Sequence, residues 1–260
     1  MQELEIKARF NGSDVSRVLL GNSQHMGMRP YQEDSFGFSS IDAASVENNG
    51  FAAIVADGMG GLTDSKQISS FAVREFIAGV SGLNGEESVS AHLSAIVQDI
   101  SLRAYAMRTG GGSTLCAVLL RGDGIYWCSA GDSRIYLFRG GRLTQLTEDA
   151  DHFTDLLTDV LNGGMTFEEA DEDEKKVALT DYIGSSDDIS VEVNVRPLTP
   201  ERGDRLLLCS DGVYNALDER EITELLCGVP QDAANDTVSA VLGKGYENQD
   251  NFTAVILGFE

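Results

Sequence analysis

The order of the predicted elements is the feature that most constrains the fold. Four amphipathic helices are predicted, as two pairs with no strand inside either pair, at about 65–80 and 86–108 and at about 218–227 and 231–243. Predicted strands follow one another in neighbouring runs. This pattern favours an α+β fold, with antiparallel sheets and helices layered outside them, over a doubly wound parallel sheet.

Ten short apolar runs bounded by Gly, Asn and Asp predict the strands. Hairpin turns are indicated at Asp123-Gly124 and Gly140-Gly141. The run at 189–195 alternates most clearly, so Ile189, Val191, Val193 and Val195 are expected on one face. The predicted strands lie at about 4–10, 15–20, 34–38, 51–56, 114–120, 124–130, 134–139, 189–195, 205–210 and 252–258.

Composition narrows the class of partner. The 260 residues carry a net charge of −23, which makes nucleic acid and anionic membranes poor partners and favours metal cations or basic protein surfaces. No low-complexity linker interrupts the chain, so one domain over 1–260 is expected. A more acidic insertion at about 148–185, with short helices at 151–161 and 166–180, is interpreted as a surface flap.

Cysteine usage and hydropathy point to the cytoplasm. The four cysteines have no Cys-x-x-Cys spacing, so neither a zinc site nor a disulfide framework is indicated. No apolar run approaches the roughly 18 residues of a membrane span, and the N-terminus lacks the apolar core of a leader peptide. A cytoplasmic protein is therefore expected.

Three aspartates lie at the ends of apolar runs beside glycine, in "VADGMGG" (Asp57), "SAGDSR" (Asp132) and "LLLCSDG" (Asp211). A sheet holds such a carboxylate rigidly, while the glycine allows a ligand to approach the backbone closely. Several converging aspartates ionise together only if a cation shares their site. Their hard oxygens favour Mg²⁺ or Mn²⁺ over zinc or copper.

Six motifs, taken in order, resemble those of the metal-dependent Ser/Thr protein phosphatases of type 2C, the PPM family, in their bacterial form. The resemblance spans about 23–258, nearly the whole chain. The motifs read Arg29-Pro-Tyr-Gln-Glu-Asp34, Asp57-Gly-Met-Gly-Gly61, Gly112-Ser-Thr114, Gly131-Asp-Ser-Arg134, Ser210-Asp-Gly212 and Asp250-Asn-Phe-Thr253.

The resemblance implies a four-layer αββα sandwich, in which two antiparallel sheets carry a binuclear Mn²⁺ or Mg²⁺ centre at one end. Asp57 would bridge the two ions, with the Gly58 carbonyl on one of them and Asp211 and Asp250 on the other. Asp132, together with Asp211, would hold a third, weaker ion.

Further roles are implied around these ligands. Arg29, Asp34 and Asp57 would be the catalytic residues, with Arg29 binding the substrate phosphate. Glu33 and Asp34 would act mainly through metal-bound waters, and Asn251 would support the metal ligands.

The implied activity is hydrolysis of phosphoserine and phosphothreonine in proteins, by attack of a metal-bridging water and without a covalent intermediate. Phosphoprotein substrates, a cognate Ser/Thr kinase or its targets, and a monomeric state are implied with it. The sequence departs from the family pattern at Gln32, Ser65, Lys66 and Ala150, while Met59 stands where many eukaryotic members have a histidine.

Three other interpretations remain open from the residues. Cys128 to Arg134 has the Cys-x5-Arg spacing of cysteine-dependent phosphatases, although a strand rather than a helix is predicted after it. The Gly-Asp-Ser at 131–133 suggests a serine hydrolase, which needs a base downstream of the serine; the last histidine is His152, and His25, His92 and His152 show no triad order. The chain would alternatively be an inactive binding module of the same fold.

Overall fold

Strands occur in runs and helices in consecutive groups along the chain, much as the sequence pattern predicts. The computed structural model describes residues 4–59, 64–83, 88–122, 124–176 and 178–260. The strands are β1 (Leu4–Lys7), β2 (Arg17–His25), β3 (Ser35–Phe38), β4 (Phe51–Ala56), β5 (Gly58–Met59), β6 (Gly112–Ser113), β7 (Leu115–Arg121), β8 (Gly124–Ala130), β9 (Arg134–Arg139), β10 (Arg142–Gln145), β11 (Glu192–Val193), β12 (Arg205–Cys209) and β13 (Phe252–Phe259). The helices are α1 (Ala43–Asn49), α2 (Ser65–Val80), α3 (Val89–Met107), α4 (His152–Leu161), α5 (Phe167–Asp171), α6 (Asp211–Tyr214), α7 (Glu219–Leu225) and α8 (Pro230–Gly243).

Two antiparallel sheets form the centre of the fold. One has six strands in the order β1-β2-β13-β12-β9-β10, and the other has five in the order β11-β8-β7-β4-β3. A short third ladder pairs β5 with β6. Helices α2 and α3 pack on the outer face of the five-stranded sheet, and α6, α7 and α8 pack against the six-stranded sheet. The four-layer αββα sandwich expected from the sequence is confirmed.

Strand β4 shows why a continuous apolar run can be a strand here. Ile54, between Ala52 and Ala56, packs toward α2 and α3, whereas Phe51 and Val55 pack into the core between the sheets. Because both faces of the strand are buried, alternation of polar and apolar residues disappears from its sequence. The run ends at Ala56, and Asp57 follows directly.

The predicted strand at 189–195 is wrong over most of its length. Only Glu192–Val193 pairs with β8, and Val195 is 83% exposed. The Asn194 side chain accepts a hydrogen bond from the Trp127 amide and donates to the Ile125 and Arg196 carbonyls. Its amide therefore takes the place of the backbone ladder and ends the strand.

Several smaller elements differ from the sequence-based boundaries. Helix α5 covers Phe167–Asp171 instead of 166–180, although Thr166 and Glu169 do form its capping box. Helix α1 was not predicted, and it has no buried residue that would give it an apolar stripe. Strand β10 completes the hairpin at Gly140-Gly141, whereas Asp123 of the other predicted turn lies outside the described residues.

The 148–185 segment, called the flap below, leaves the sheets after β10 and returns before β11. Helices α4 and α5 pack on each other, with the rings of Phe153 and Phe167 6.2 Å apart. The returning arm of the flap, residues 178–185, is fixed at Ile183, which pairs with Ser113 through two backbone hydrogen bonds. None of the described helices is long and apolar enough to span a lipid bilayer.

Candidate active site

The ends of β4, β12 and β13 bring the predicted carboxylates to one edge of the sandwich. Asp57 follows β4, Asp211 follows β12 after one residue, and Asp250 lies two residues before β13, which pairs with β12. They open on a cleft of about 440 Å³. The cleft is lined by Arg29, Glu33, Asp57, Gly58, Met59, Thr114, Asp132, Leu179, Tyr182, Asp211 and Asp250.

Asp57 is held through its backbone by Thr114. The Asp57 amide donates to Thr114 Oγ1 at 3.0 Å, and the Thr114 amide donates to the Asp57 carbonyl at 2.8 Å. Thr114 Oγ1 in turn lies 2.6 Å from Ser133 Oγ. The Gly-Ser-Thr and Gly-Asp-Ser-Arg motifs therefore fix the position of the aspartate.

Gly58 has no room for a side chain. A Cβ there would lie 2.7 Å from the Glu33 carbonyl oxygen and 2.8 Å from that of Ser65. The glycine allows the β5 turn to pass close to both segments. Gly60 and Gly61 of the same motif lie outside the described residues.

Asp34 is fully buried at the start of β3 and joins the two sheets. Its Oδ2 accepts hydrogen bonds from Ser210 Oγ (2.8 Å) and Thr253 Oγ1 (2.7 Å), which belong to the β12 and β13 side. Its Oδ1 has no hydrogen-bond partner among the described residues. Burial raises the pKa of Asp34, and the bonds from Thr253 and Ser210 oppose that rise.

The other cleft carboxylates also resist ionisation. Burial raises the pKa of Asp57 well above its usual value, and the charges of Asp34, Asp211 and Asp132 add to the effect. Burial, followed by Asp132 and Asp250, raises the pKa of Asp211 to about 7. The pKa of Asp132 is raised mainly by burial. These pKa values are raised because like charges lie close together and away from water. A cation bound among the carboxylates would lower them.

Arg29 and Asp250 form an ion pair at the mouth of the cleft. Arg29 Nη2 lies 2.6 Å from Asp250 Oδ2, and both side chains are partly exposed. Nε and Nη1 of Arg29 have no hydrogen bond within the described residues. The predicted phosphate ligand is thus in the cleft, already tethered to one predicted metal ligand.

Asn251 organises the segment that carries Glu33. Its Oδ1 accepts from the Glu33 amide at 2.7 Å, and its Nδ2 donates to the carbonyls of Met26 and Tyr31. The side chain is 3% exposed, so these bonds are shielded from water. The pKa of Glu33 is raised, chiefly by burial.

Arg134 is structural and fastens the flap. Its guanidinium donates to both carboxylate oxygens of Asp149, with Nη2 2.5 Å from Oδ2, and to the Tyr136 hydroxyl. It stacks 3.6 Å from the ring centre of Tyr214, whose hydroxyl donates to the Asp132 carbonyl. One side chain thus links the flap to the turn that holds Asp132.

The interpretation of Cys128 to Arg134 as a cysteine-phosphatase loop is wrong. Cys128 is fully buried in β8, and burial raises the pKa of its thiol. The chain turns directly from β8 into β9, so no helix N-terminus lies after it. Arg134 is also fully engaged by Asp149.

The departures from the motif pattern make local contacts. Gln32 Oε1 accepts a hydrogen bond from the Asp34 amide at 3.0 Å, and Ser65 Oγ donates to the Met59 carbonyl. Lys66 Nζ donates to the Asp34 carbonyl (2.5 Å) and to Ser35 Oγ (3.0 Å). Gln32 and Lys66 thus brace the chain at Asp34, directly before β3.

Sequence reasoning missed several contacts that support the cleft and two residues that line it. Ser210, Thr253 and Thr114 were included in motifs, but no partner was foreseen for their hydroxyls. Leu179 and Tyr182 reach the cleft from the returning arm of the flap, and no local pattern indicates it.

Comparisons with known proteins agree with this architecture. A family model described as protein phosphatase 2C matches residues 24–245. The serine/threonine phosphatase stp of Listeria innocua serovar 6a is 29% identical over 240 residues, covering 88% of this chain and 91% of that protein.

Solved structures show the same likeness. The S. agalactiae serine/threonine phosphatase superposes with a TM-score of 0.80 at 25% identity, covering 94% of this chain and all of that one. The catalytic domain of the serine/threonine protein phosphatase PstP, in complex with two manganese ions, gives 0.71 at 27% identity, covering 93% and 98%.

Proposed function

The chain belongs to the protein phosphatase 2C family of metal-dependent serine/threonine phosphatases, and on that premise we propose that its acidic cleft hydrolyses phosphoserine and phosphothreonine in proteins. The observation that carries the proposal is the meeting of Asp57, Asp132, Asp211 and Asp250 in one cleft beside Arg29. An inactive module of the same fold would also resemble the family. The carboxylates and the arginine in this cleft, by contrast, can bind metal cations and a phosphate.

The cleft suits divalent cations. Its donors are carboxylate and carbonyl oxygens, which Mn²⁺ and Mg²⁺ prefer. Asp211 Oδ1 is buried and unpartnered within the described residues, as an oxygen reserved for a ligand would be. No three groups in the described residues already close on one point as a ready-made metal site, so the ligands are assigned from the shared cleft and its electrostatics.

We assign two ions to Asp57, the Gly58 carbonyl, Asp211 and Asp250, and a third, weaker one to Asp132 with Asp211. When bound, such ions lower the pKa of a coordinated water and neutralise charge on the phosphoryl group. Thr114 fixes the Asp57 backbone from both sides, so this ligand would be held rigidly toward the ions.

Arg29 binds and orients the substrate phosphate. Its bond to Asp250 holds the guanidinium at the cleft mouth and leaves Nε and Nη1 free to donate to equatorial phosphoryl oxygens. A fixed planar fork suits such a two-point contact. A phosphate bound by Arg29 would therefore lie beside the carboxylates that line the same cleft.

Asp34 and Glu33 act around the reacting groups. Asp34 is too deeply buried to touch the substrate, and its Oδ1, which has no partner among the described residues, would be the atom that accepts from a metal-bound water. Glu33 lines the cleft beside Arg29 and Asp57, and burial raises the pKa of its carboxyl group above the ordinary glutamate value.

The chain forms one domain whose flap takes part in substrate contact. Leu179 and Tyr182 of the flap line the cleft together with the aspartates. Arg134 couples the base of the flap to the Asp132 turn. The shape of the flap therefore bears on what the cleft accepts.

The test is hydrolysis of p-nitrophenyl phosphate and of a phosphothreonine peptide with Mn²⁺, Mg²⁺ or EDTA. We expect turnover that EDTA abolishes and that Asp57→Asn and Asp211→Asn each reduce by at least about a hundredfold. Asp236→Asn, which removes an exposed charge on α8, is the control and retains activity. Full activity in either cleft variant, or inertness with every metal, would refute the proposal.

A further inference from the structure

A second hollow, called the side hollow below, lies next to the catalytic cleft. Its volume is about 420 Å³, within the range of roughly 300–1,000 Å³ typical of ligand pockets. Tyr182 lines both hollows, so the two are neighbours on the protein surface. The side hollow is lined by Ala104, Tyr105, Arg108, Thr109, Gly110, Gly111, Tyr182 and Gly184.

The hollow is built from three segments that the fold holds in place. Helix α3 ends at its rim, and Arg108 follows as the residue that caps the helix. The glycines at 110–111 lead into β6. The returning arm of the flap closes the opposite side, anchored by the backbone pairing of Ile183 with Ser113.

Arg108 adopts a backbone conformation that an arginine does not favour. With φ 54° and ψ 34°, it is the one non-glycine residue of the described chain with a positive φ. Glycine takes this position at many helix ends without strain, and glycines occupy 110–112 just beyond. Strain of this kind is frequent where a side chain serves a binding site.

The Arg108 side chain is also unengaged. It is exposed, and no hydrogen bond or ion pair of its guanidinium occurs among the residues that the structure describes. Arg29 and Arg134, the other arginines near the cleft, are paired with Asp250 and Asp149. An unpaired positive charge beside the cleft is unusual in a chain with a net charge of −23.

We propose that the side hollow binds a second anionic side chain of the phosphoprotein substrate, a phosphorylated residue or a carboxylate a few positions from the phosphoresidue being hydrolysed. Arg108 supplies a charged fork that suits phosphate or carboxylate, and the hydroxyls of Tyr105 and Tyr182 supply neutral donors. The side hollow thus selects substrates with clustered phosphates or acidic residues. The proposal rests on the phosphatase function given above and adds a substrate preference to it.

Matched peptides test this preference. Each carries one phosphothreonine and, two to four positions away on either side, alanine, glutamate or phosphoserine. We expect the wild-type kcat/KM to be about tenfold higher with the second phosphate than with alanine, because a guanidinium makes charge-assisted hydrogen bonds to it. Glutamate should give a smaller gain, because a carboxylate carries less charge and fewer acceptor oxygens than a phosphate.

The variants separate recognition from catalysis. Arg108→Ala should reduce the tenfold preference to about one, and Arg108→Lys should restore part of it. Arg220→Ala, which removes an exposed arginine from α7, is the matched control and should retain the full preference. Turnover of p-nitrophenyl phosphate by Arg108→Ala reports whether the centre itself remains intact.

Binding provides a readout that does not need turnover. Fluorescence anisotropy of the doubly phosphorylated peptide with EDTA-treated protein should show an affinity that Arg108→Ala weakens and Arg220→Ala does not. Loss of turnover in the wild type with this binding pattern intact would refute the proposed function alone. Equal kcat/KM of the wild type for all three peptides, or a preference that persists in Arg108→Ala, would overturn the assignment of the side hollow.

Discussion

Removal of the Asp211 charge should stabilise the metal-free protein at neutral and alkaline pH. The pKa of Asp211 is raised from 3.8 to about 7 by burial and by the charges of Asp132 and Asp250. Such a shift corresponds to about 4 kcal/mol against the ionised form. Water reaches the cleft and neighbouring carboxylates share protons, so we expect about 2 kcal/mol in practice.

The direction follows from proton linkage. Below pH 3.8 the carboxyl group is protonated in both the folded and the unfolded chain. Between pH 3.8 and 7 the unfolded chain releases this proton first, so the folded state binds more protons and its stability falls as pH rises. Asparagine is neutral throughout, so Asp211→Asn should match the wild type at pH 4 and exceed it at pH 8.

Thermal unfolding followed by circular dichroism in EDTA measures the effect. About 2 kcal/mol should raise the Tm of Asp211→Asn by about 4–8 °C at pH 8. With saturating Mn²⁺ the order should invert, because ligand binding stabilises only the chain that retains its ligands. Asp236→Asn controls for net charge. An Asp211→Asn protein that is no more stable than the wild type in EDTA at pH 8 would refute the electrostatic argument.

Three further perturbations address the supports of the site. Asn251→Ala removes three shielded hydrogen bonds and should lower stability by about 2–3 kcal/mol, seen as a Tm lower by about 5–10 °C; a change within experimental error would contradict its bracing role. Lys66→Met removes an ammonium group that donates to the Asp34 carbonyl. Because this removes a positive charge near the cleft, Mn²⁺ should bind about fivefold more tightly by calorimetry. Weaker binding would show that the hydrogen bonds of Lys66 matter more than its charge. Arg134→Lys cannot make the two-point contact with Asp149, so amide hydrogen exchange at 149–161 should accelerate, and unchanged exchange would mean that other contacts hold the flap.

The main layers of the fold were predictable because their signals are local. The buried run before Asp57 and the paired amphipathic helices can be recognised from short windows, and the structure confirms both. Local windows also misled at 189–195, where Asn194 uses its side chain to end the strand. Helix α1 escaped notice because none of its residues is buried.

The candidate site was predictable as a set of residues but not as a network. Motif order identified Arg29 and Asp250, yet their ion pair joins positions 221 residues apart, which no pattern in a single sequence reveals. The side hollow depends likewise on Tyr182 and Arg108 meeting through the return of the flap. Such contacts follow from tertiary packing, which depends on the whole chain.

The burial of Asp34 has a mechanical consequence. Its carboxylate, next to β3 of the five-stranded sheet, accepts hydrogen bonds from Ser210, directly after β12, and from Thr253, in β13 of the six-stranded sheet. The side chain therefore links the two sheets across the sandwich. Asp57 and Asp211 likewise stand on opposite sheets. One sheet cannot slide over the other without changing the spacing of the carboxylates. A ligand that fixes this spacing therefore also restricts the relative motion of the two sheets.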